Sequence, residues 1–139
     1  MKIAVVYWSS TGNTEAMAQA VVEGAKHAGA EAELFTAAEF DGGKMDEFDA
    51  VAFGCPAMGA EELEDGEFAP MFGTCESKLS GKKIALFGSY GWGDGEWMRT
   101  WEENCRDKGA NLVCDSVICQ ETPDDEALSA CRSLGEALA

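Results

Sequence analysis

The sequence predicts an α/β protein, a single doubly wound parallel sheet of five strands with helices on both faces. Three observations carry this expectation. Apolar runs of strand length alternate with segments of helical periodicity from one end of the chain to the other. The run Ala50–Gly54 is apolar throughout, as suits a strand covered by helices on both sides. The first apolar run also passes through a short hydroxyl-rich loop into a segment free of Gly and Pro, the strand–loop–helix order of a βαβ unit.

Taken in order, Lys2–Tyr7 reads as the first strand and Thr14–Ala28 as a helix closed by Gly29. Met17, Val21, Val22 and Ala25 give that helix an apolar stripe at helical spacing. Glu31–Phe35 is a second, shorter strand, and Ala37–Phe48 a loop with at most one helical turn, broken by Gly42-Gly43. After the third strand, Ala50–Gly54, a long loop runs from Cys55 to Gly66, followed by a helix over Phe68–Leu79 that Gly73 can interrupt. Lys82–Gly88 is the fourth strand; a Gly-rich loop from Ser89 to Gly95 leads to a helix near Glu96–Lys108 that Gly109 closes. Asn111–Cys119 is the fifth strand, with a break expected near Asp115. Pro123 is placed at the first position of the last helix, before Asp124-Asp125-Glu126. No linker, repeat or low-complexity segment divides residues 1–139, so one domain is expected.

Hydrophobic residues make up 46% and charged residues 26%, the balance of a soluble globular protein. The apolar runs are far shorter than the ~20 residues of a membrane span. Met1-Lys2-Ile3 enters a strand at once, with no export signal, which points to the cytoplasm. Asp and Glu number 26 against 10 Lys and Arg, a net charge of −16. That field repels nucleic acid and anionic membranes and attracts basic protein surfaces. Cys55, Cys75, Cys105, Cys114, Cys119 and Cys131 show neither C-x-x-C nor metal-site spacing and read as reduced, packing residues. His27, beside Lys26 on a helix, reads as a surface residue.

Loops that could carry chemistry follow the first, third and fourth strands, and all leave the C-terminal edge of the sheet, where such folds bind ligands. Ser9-Ser10-Thr11-Gly12-Asn13-Thr14 precedes a helix N-terminus, whose N–H groups lack intrahelical partners and favour a phosphate. No Lys or Arg lies within it, so a phosphate would be held by neutral dipoles. The pattern is neither a nucleoside-triphosphate loop nor G-x-G-x-x-G. The bland alternative is an ordinary capped βα turn. Cys55-Pro56-Ala57-Met58-Gly59-Ala60-Glu61-Glu62 adds a thioether, a Gly and carboxylates, and Ser89-Tyr90-Gly91-Trp92-Gly93-Asp94-Gly95 adds an indole between glycines. An aromatic with so little local packing suits stacking on a flat ligand better than a core. A phosphate cradle together with a planar stacking group points to a nucleotide-like cofactor.

Ser9-Ser10-Thr11-Gly12-Asn13-Thr14, Ala57-Met58-Gly59-Ala60-Glu61 and Gly88-Ser89-Tyr90-Gly91-Trp92-Gly93 resemble the three FMN-binding loops of flavodoxins, in order and over essentially the whole chain. The likeness is to the short-chain flavodoxins of anaerobic bacteria. It implies a five-stranded sheet of order 2-1-3-4-5 with non-covalent FMN at its switch point. It further implies that the Ser9, Thr11 and Thr14 hydroxyls, with local backbone amides of the Ser9-Ser10-Thr11-Gly12-Asn13-Thr14 stretch, meet the phosphate. Met58 and Trp92 would flank the isoalloxazine, Glu61 would accept the flavin N3–H, and Pro56, Ala57, Ser89, Tyr90, Gly91 and Gly93 would complete the second and third loops. The Gly59-Ala60 peptide would turn over on reduction, offering the Gly59 carbonyl to the flavin N5–H.

The function implied is a low-potential one-electron carrier working with redox partner proteins that present basic docking surfaces, expected as a monomer and not an enzyme. The alternative is an FMN-dependent NAD(P)H or quinone reductase on the same fold, which would need a nicotinamide site where Trp92 is expected to stack. A flavin protein dedicated to activating a radical enzyme is a third reading. A response-regulator module would need an acidic pair after the first strand and an Asp after the third, where Tyr7-Trp8-Ser9 and Cys55-Pro56 stand instead.

Overall fold

A computed structural model of the chain describes residues 1–58, 62–91 and 93–139. The elements run β1 (Lys2–Tyr7), α1 (Asn13–His27), β2 (Glu31–Thr36), two 3-10 turns (Ala37–Glu39 and Gly42–Glu47) and β3 (Ala50–Gly54). Next come α2 (Phe68–Cys75) with a 3-10 extension over Glu76–Lys78, β4 (Lys83–Tyr90) and α3 (Glu96–Asp107). The chain finishes with β5 (Asn111–Leu112), β6 (Val117–Gln120) and α4 (Asp125–Leu138). All named strand pairs are parallel; the order is β2-β1-β3-β4-β5, with β6 also pairing with β4. This is the expected order 2-1-3-4-5, the fifth strand being two segments that share β4 as neighbour.

Period-two alternation in the central strands builds two cores. Ile3 and Val5 of β1 with Ala50 and Ala52 of β3 face α1 and α4; Ala4, Val6, Val51 and Phe53 face α2 and α3. On the second face Phe53 lies edge-on to Phe68 and Phe72, and both of these lie edge-on to Trp101. On the first face the small Ala50, Ala52 and Ala85 let α1 and α4 sit close to the sheet and to each other.

Several boundaries differ from the expectation for local reasons. Ala37–Phe48 forms two 3-10 turns; the second is N-capped by Asp41, whose carboxylate accepts from Lys44 N–H, so Gly42-Gly43 open a turn instead of breaking one. Gly73 does not interrupt α2, which tightens to 3-10 geometry only after Cys75. β4 runs on through Ser89 and Tyr90, because β6 pairs with Phe87–Tyr90 and extends the ladder past Gly88. The N-cap of α4 is Asp124, whose side chain accepts from Ala127 N–H, and Pro123 therefore lies just before the helix and not at its first position. All six cysteines are free, and Cys55, Cys75, Cys105 and Cys131 are buried. Burial pushes the Cys55, Cys105 and Cys131 thiols up to about 12 and Cys75 up to about 11, which keeps them protonated and unreactive. His27 is a surface residue beside Glu136, at 3.6 Å.

Candidate functional site

The sheet order reverses between β1 and β3, where β1 leads out to β2 on one side and the chain later returns to β3 and β4 on the other. Beyond the C-terminal ends of these strands lies an open cavity of about 210 Å³. Ser10, Thr11 and Asn13 line it from the first loop, Pro56, Ala57 and Met58 from the loop after β3, and Ser89, Tyr90 and Gly91 from the end of β4. Tertiary structure thus brings together the three stretches that sequence reasoning had singled out.

The first loop reaches its helix through Gly12, the residue before α1, at φ 91°, a left-handed conformation that suits glycine and no other residue as well. No side chain caps α1, so its first N–H groups, beside a cavity that Asn13 lines, lack the usual Ser or Asp acceptor. Ser9 does not cap the helix but shapes the loop, its Oγ accepting from Gly12 N–H at 3.0 Å and holding the curve. Ser10 and Thr11 are exposed, whereas Thr14 is buried and shares a hydrogen bond of 2.9 Å with Ser89 Oγ. That buried hydroxyl pair ties the start of α1 to the end of β4.

Backbone bonds knit the second and third loops together. Trp8 N–H donates to Gly54 O at 3.0 Å, Cys55 N–H to Phe87 O at 3.2 Å and Ala57 N–H to Ser89 O at 3.0 Å. The buried Trp97 indole donates to Cys55 O at 3.2 Å from below. Met58 and Glu62 then pair in antiparallel fashion, each N–H donating to the other's carbonyl at 2.8 and 3.0 Å, which closes a short hairpin. Gly59, Ala60, Glu61 and Trp92, with the roles expected of them, lie outside the described residues.

The hairpin's outer limb is anchored by Glu64. Its buried carboxylate accepts from Gly66, Glu67 and Phe68 N–H at 2.6, 2.7 and 2.8 Å. Burial alone would raise this carboxyl, but the donors from Phe68, Glu67 and Gly66 outweigh it and hold the group below its ordinary value. On the far side of the first loop, Tyr7 OH donates to Glu15 at 3.1 Å and Trp8 Nε1 to Glu67 at 3.2 Å. Burial first, then Glu15 and Glu39, raise the Tyr7 hydroxyl above its ordinary value, so it stays neutral.

Glu121 is a further cavity-lining residue that the sequence reading did not single out. The signal was available, since the loop after the last strand leaves the same sheet edge, but Gln120-Glu121-Thr122 has no glycine or aromatic to mark it.

This set of groups fits FMN. Uncapped amides and exposed hydroxyls meet a phosphate at one end, and Met58, Ala57 and Pro56 offer apolar surface to a ring at the other. No group of three or more His, Cys, Asp or Glu side chains among the described residues could hold a metal ion. No helix among them is long and apolar enough to cross a membrane.

Comparison with known proteins gives the same reading. The flavodoxin family model matches residues 5–135. The flavodoxin of Megasphaera elsdenii is 45% identical over 140 aligned residues, covering 99% of this chain and 98% of its own. That of Clostridium beijerinckii is 42% identical over 135, covering 97% of each. Among solved structures, two-electron reduced Megasphaera elsdenii flavodoxin superposes with a TM-score of 0.89, covering 98% of this chain and 97% of the other. An archaeal flavodoxin, 29% identical, reaches 0.87 over 100% of this chain and 96% of the other. A hydroxyl cradle, a switch-point cavity and matches over nearly the full length of both partners therefore have one explanation: the chain belongs to the flavodoxin family, FMN-binding proteins that carry electrons and are not enzymes.

Proposed function

We propose that the cavity at the β1/β3 switch point holds FMN with its phosphate at the start of α1 and its ring between the second and third loops, and that residues 1–139 act as one domain. The observation that carries the reading is the convergence of the three loops on a single cavity whose polar and apolar ends match the two ends of the cofactor. Bound FMN supplies the one-electron chemistry; the chain binds, orients and shields it.

Ser10 and Thr11, exposed beside the uncapped helix, would reach a phosphate with their hydroxyls, with the N–H groups of Asn13 and Thr14 behind them. Ser9 and the Thr14–Ser89 pair shape the cradle from within. Met58 would cover one face of the ring and Trp92 the other. Glu61 would accept the ring N3–H, with backbone groups of Ala57, Gly91 and Gly93 along the pyrimidine edge. The Gly59-Ala60 peptide would sense the protonation of N5.

With a net charge of −16, the protein would dock on redox partners through basic surfaces on their side, as a monomer in the cytoplasm. Titrating the apoprotein with FMN tests the reading. Stoichiometric uptake with quenching of flavin fluorescence is expected, and a protein that takes up none would overturn it. Slow reduction by NADH alone is also expected, since the family carries electrons delivered by a partner; rapid turnover with NADH and a quinone would instead favour the reductase.

A further inference from the structure

We propose that Trp97, in the first turn of α3, is a positioning residue for the flavin: its buried indole fixes the root of the second loop and so sets how readily the bound flavin takes its first electron. This rests on the FMN reading above. Trp97 acts from behind the cavity lining, through Cys55 and Tyr90. The Cys55 carbonyl stands directly before Pro56, Ala57 and Met58, which line the cavity, and it accepts from Trp97 Nε1 at 3.2 Å with both residues buried. A buried carbonyl stripped of its donor is costly, so this bond holds the loop root in place. The Trp97 ring also packs against Tyr90, with centroids 5.6 Å apart, and Tyr90 lines the cavity from the end of β4. One indole therefore touches two of the three converging stretches.

The slot for this contact is built by Gly88 of β4. A Cβ there would meet Cys55 O at 2.2 Å and Trp97 Cζ2 at 3.2 Å, so the approach of donor to acceptor needs a glycine. Cys55 is tied on its other sides as well. Its N–H donates to Phe87 O at 3.2 Å, and its Sγ accepts from Glu64 N–H at 3.4 Å. The root of the hairpin is thus held by the sheet, by its own outer limb and by Trp97. Trp101, one turn further along α3, supplies the contrast. It is equally buried and lies edge-on to Phe68 and Phe72, but its Nε1 has no hydrogen-bond partner among the described residues. The two indoles share a helix, a size and a degree of burial, and differ in whether they hold the flavin loop.

The Gly59-Ala60 peptide would offer its carbonyl to the flavin N5–H, a group that exists only once an electron from the redox partner and a proton from solvent have been taken up. A loop already held at its root loses less freedom in making that bond. Loss of the Trp97 donor therefore weighs more on reduced than on oxidised flavin, and the potential for the first electron falls. Only the hydrogen bond of Trp97 is involved, and no covalent bond of the chain changes.

Trp97→Phe removes the indole N–H and keeps an aromatic ring; Trp101→Phe makes the same change in a side chain that holds no loop and serves as the control. Spectroelectrochemical titration of the holoproteins should show the first one-electron potential of Trp97→Phe lowered by about five- to tenfold in equilibrium constant, about 41–59 mV. Trp101→Phe should leave it unmoved within error. The dissociation constant of Trp97→Phe for oxidised FMN should stay within about threefold of that of the unmodified protein, because the reduced flavin bears most of the loss. If Trp97→Phe does not fold, benzothienylalanine at position 97, which keeps the bicyclic ring and lacks only the N–H, takes its place in the same titration. Equal shifts in the two variants, or a Trp97→Phe potential that is unchanged or raised, would reduce Trp97 to a packing residue and leave FMN binding standing. An unmodified protein that binds no FMN would overturn both readings.

Discussion

Glu64 shows how much a single residue's setting can matter. It stands in the acidic stretch Glu61, Glu62, Glu64, Asp65, which along the sequence looks like one solvated cluster. In the fold it alone of the described members is buried, and it satisfies three successive amides where the hairpin loop enters α2. Glu64→Gln should cost about 1–3 kcal/mol of stability, because the amide replaces a charged acceptor of several N–H bonds with a weaker one. The pH dependence has a definite sign. With its folded value held low, Glu64 stabilises the native state above its ordinary value of about 4.3, and that contribution is lost as pH falls through the lowered value. Denaturant unfolding of Glu64→Gln and the unmodified protein over a pH series measures it: the gap in stability between them should close at low pH. Trp92 acts at the same scale. Its replacement by Ala should weaken FMN binding by about 1–3 kcal/mol, the worth of an aromatic stack, and relieve the fluorescence quenching. An unaltered dissociation constant would place the indole away from the ring.

Helices α1 and α4 make their closest approach at the level of elements, backbone against backbone. A Cβ on Gly24 would meet Arg132 O at 1.9 Å, and one on Gly135 would meet Val21 O at 2.1 Å. These neighbours are main chain and cannot swing aside, so Gly24→Ala or Gly135→Ala must push the two helices apart. Each should destabilise the protein by about 1–3 kcal/mol in thermal or denaturant unfolding, the usual cost of overpacking. A neutral result would mean that the helices slide without loss. The side-chain pairs across this interface, His27 with Glu136 and Arg132 with Glu23, are exposed and add little by comparison.

Across the whole molecule, the excess of 26 acidic over 10 basic residues acts as a field and not as a set of contacts. Association with a basic redox partner should slow steeply as salt rises, because screening shortens the reach of that field to about 8 Å at physiological ionic strength. FMN affinity should vary much less, since the cradle contains no Lys or Arg whose charge could be screened. Stopped-flow association rates and equilibrium FMN titrations over the same salt series separate the two, and a salt-independent on-rate would assign the acidity to solubility alone.

The sheet order followed from the resemblance of three loops, while the strands and helices were legible from apolar periodicity and punctuation by glycine. β1 and β3 were read to the residue, because a strand buried on both sides leaves an uninterrupted apolar run. Local sequence also marked the first loop as a candidate, since hydroxyls crowded before a helix suit an anion as well as an ordinary cap. Tertiary structure decided what depends on neighbours distant in the chain. It assigned Thr14 to Ser89, 75 residues away, and separated the buried Glu64 from its exposed neighbours. It lengthened β4 by giving Ser89 and Tyr90 a partner strand, and set Glu121 beside Tyr90. None of these can be read locally, because a hydroxyl, a carboxylate or a strand end has the same sequence signature whether its partner is water or a residue brought there by the fold.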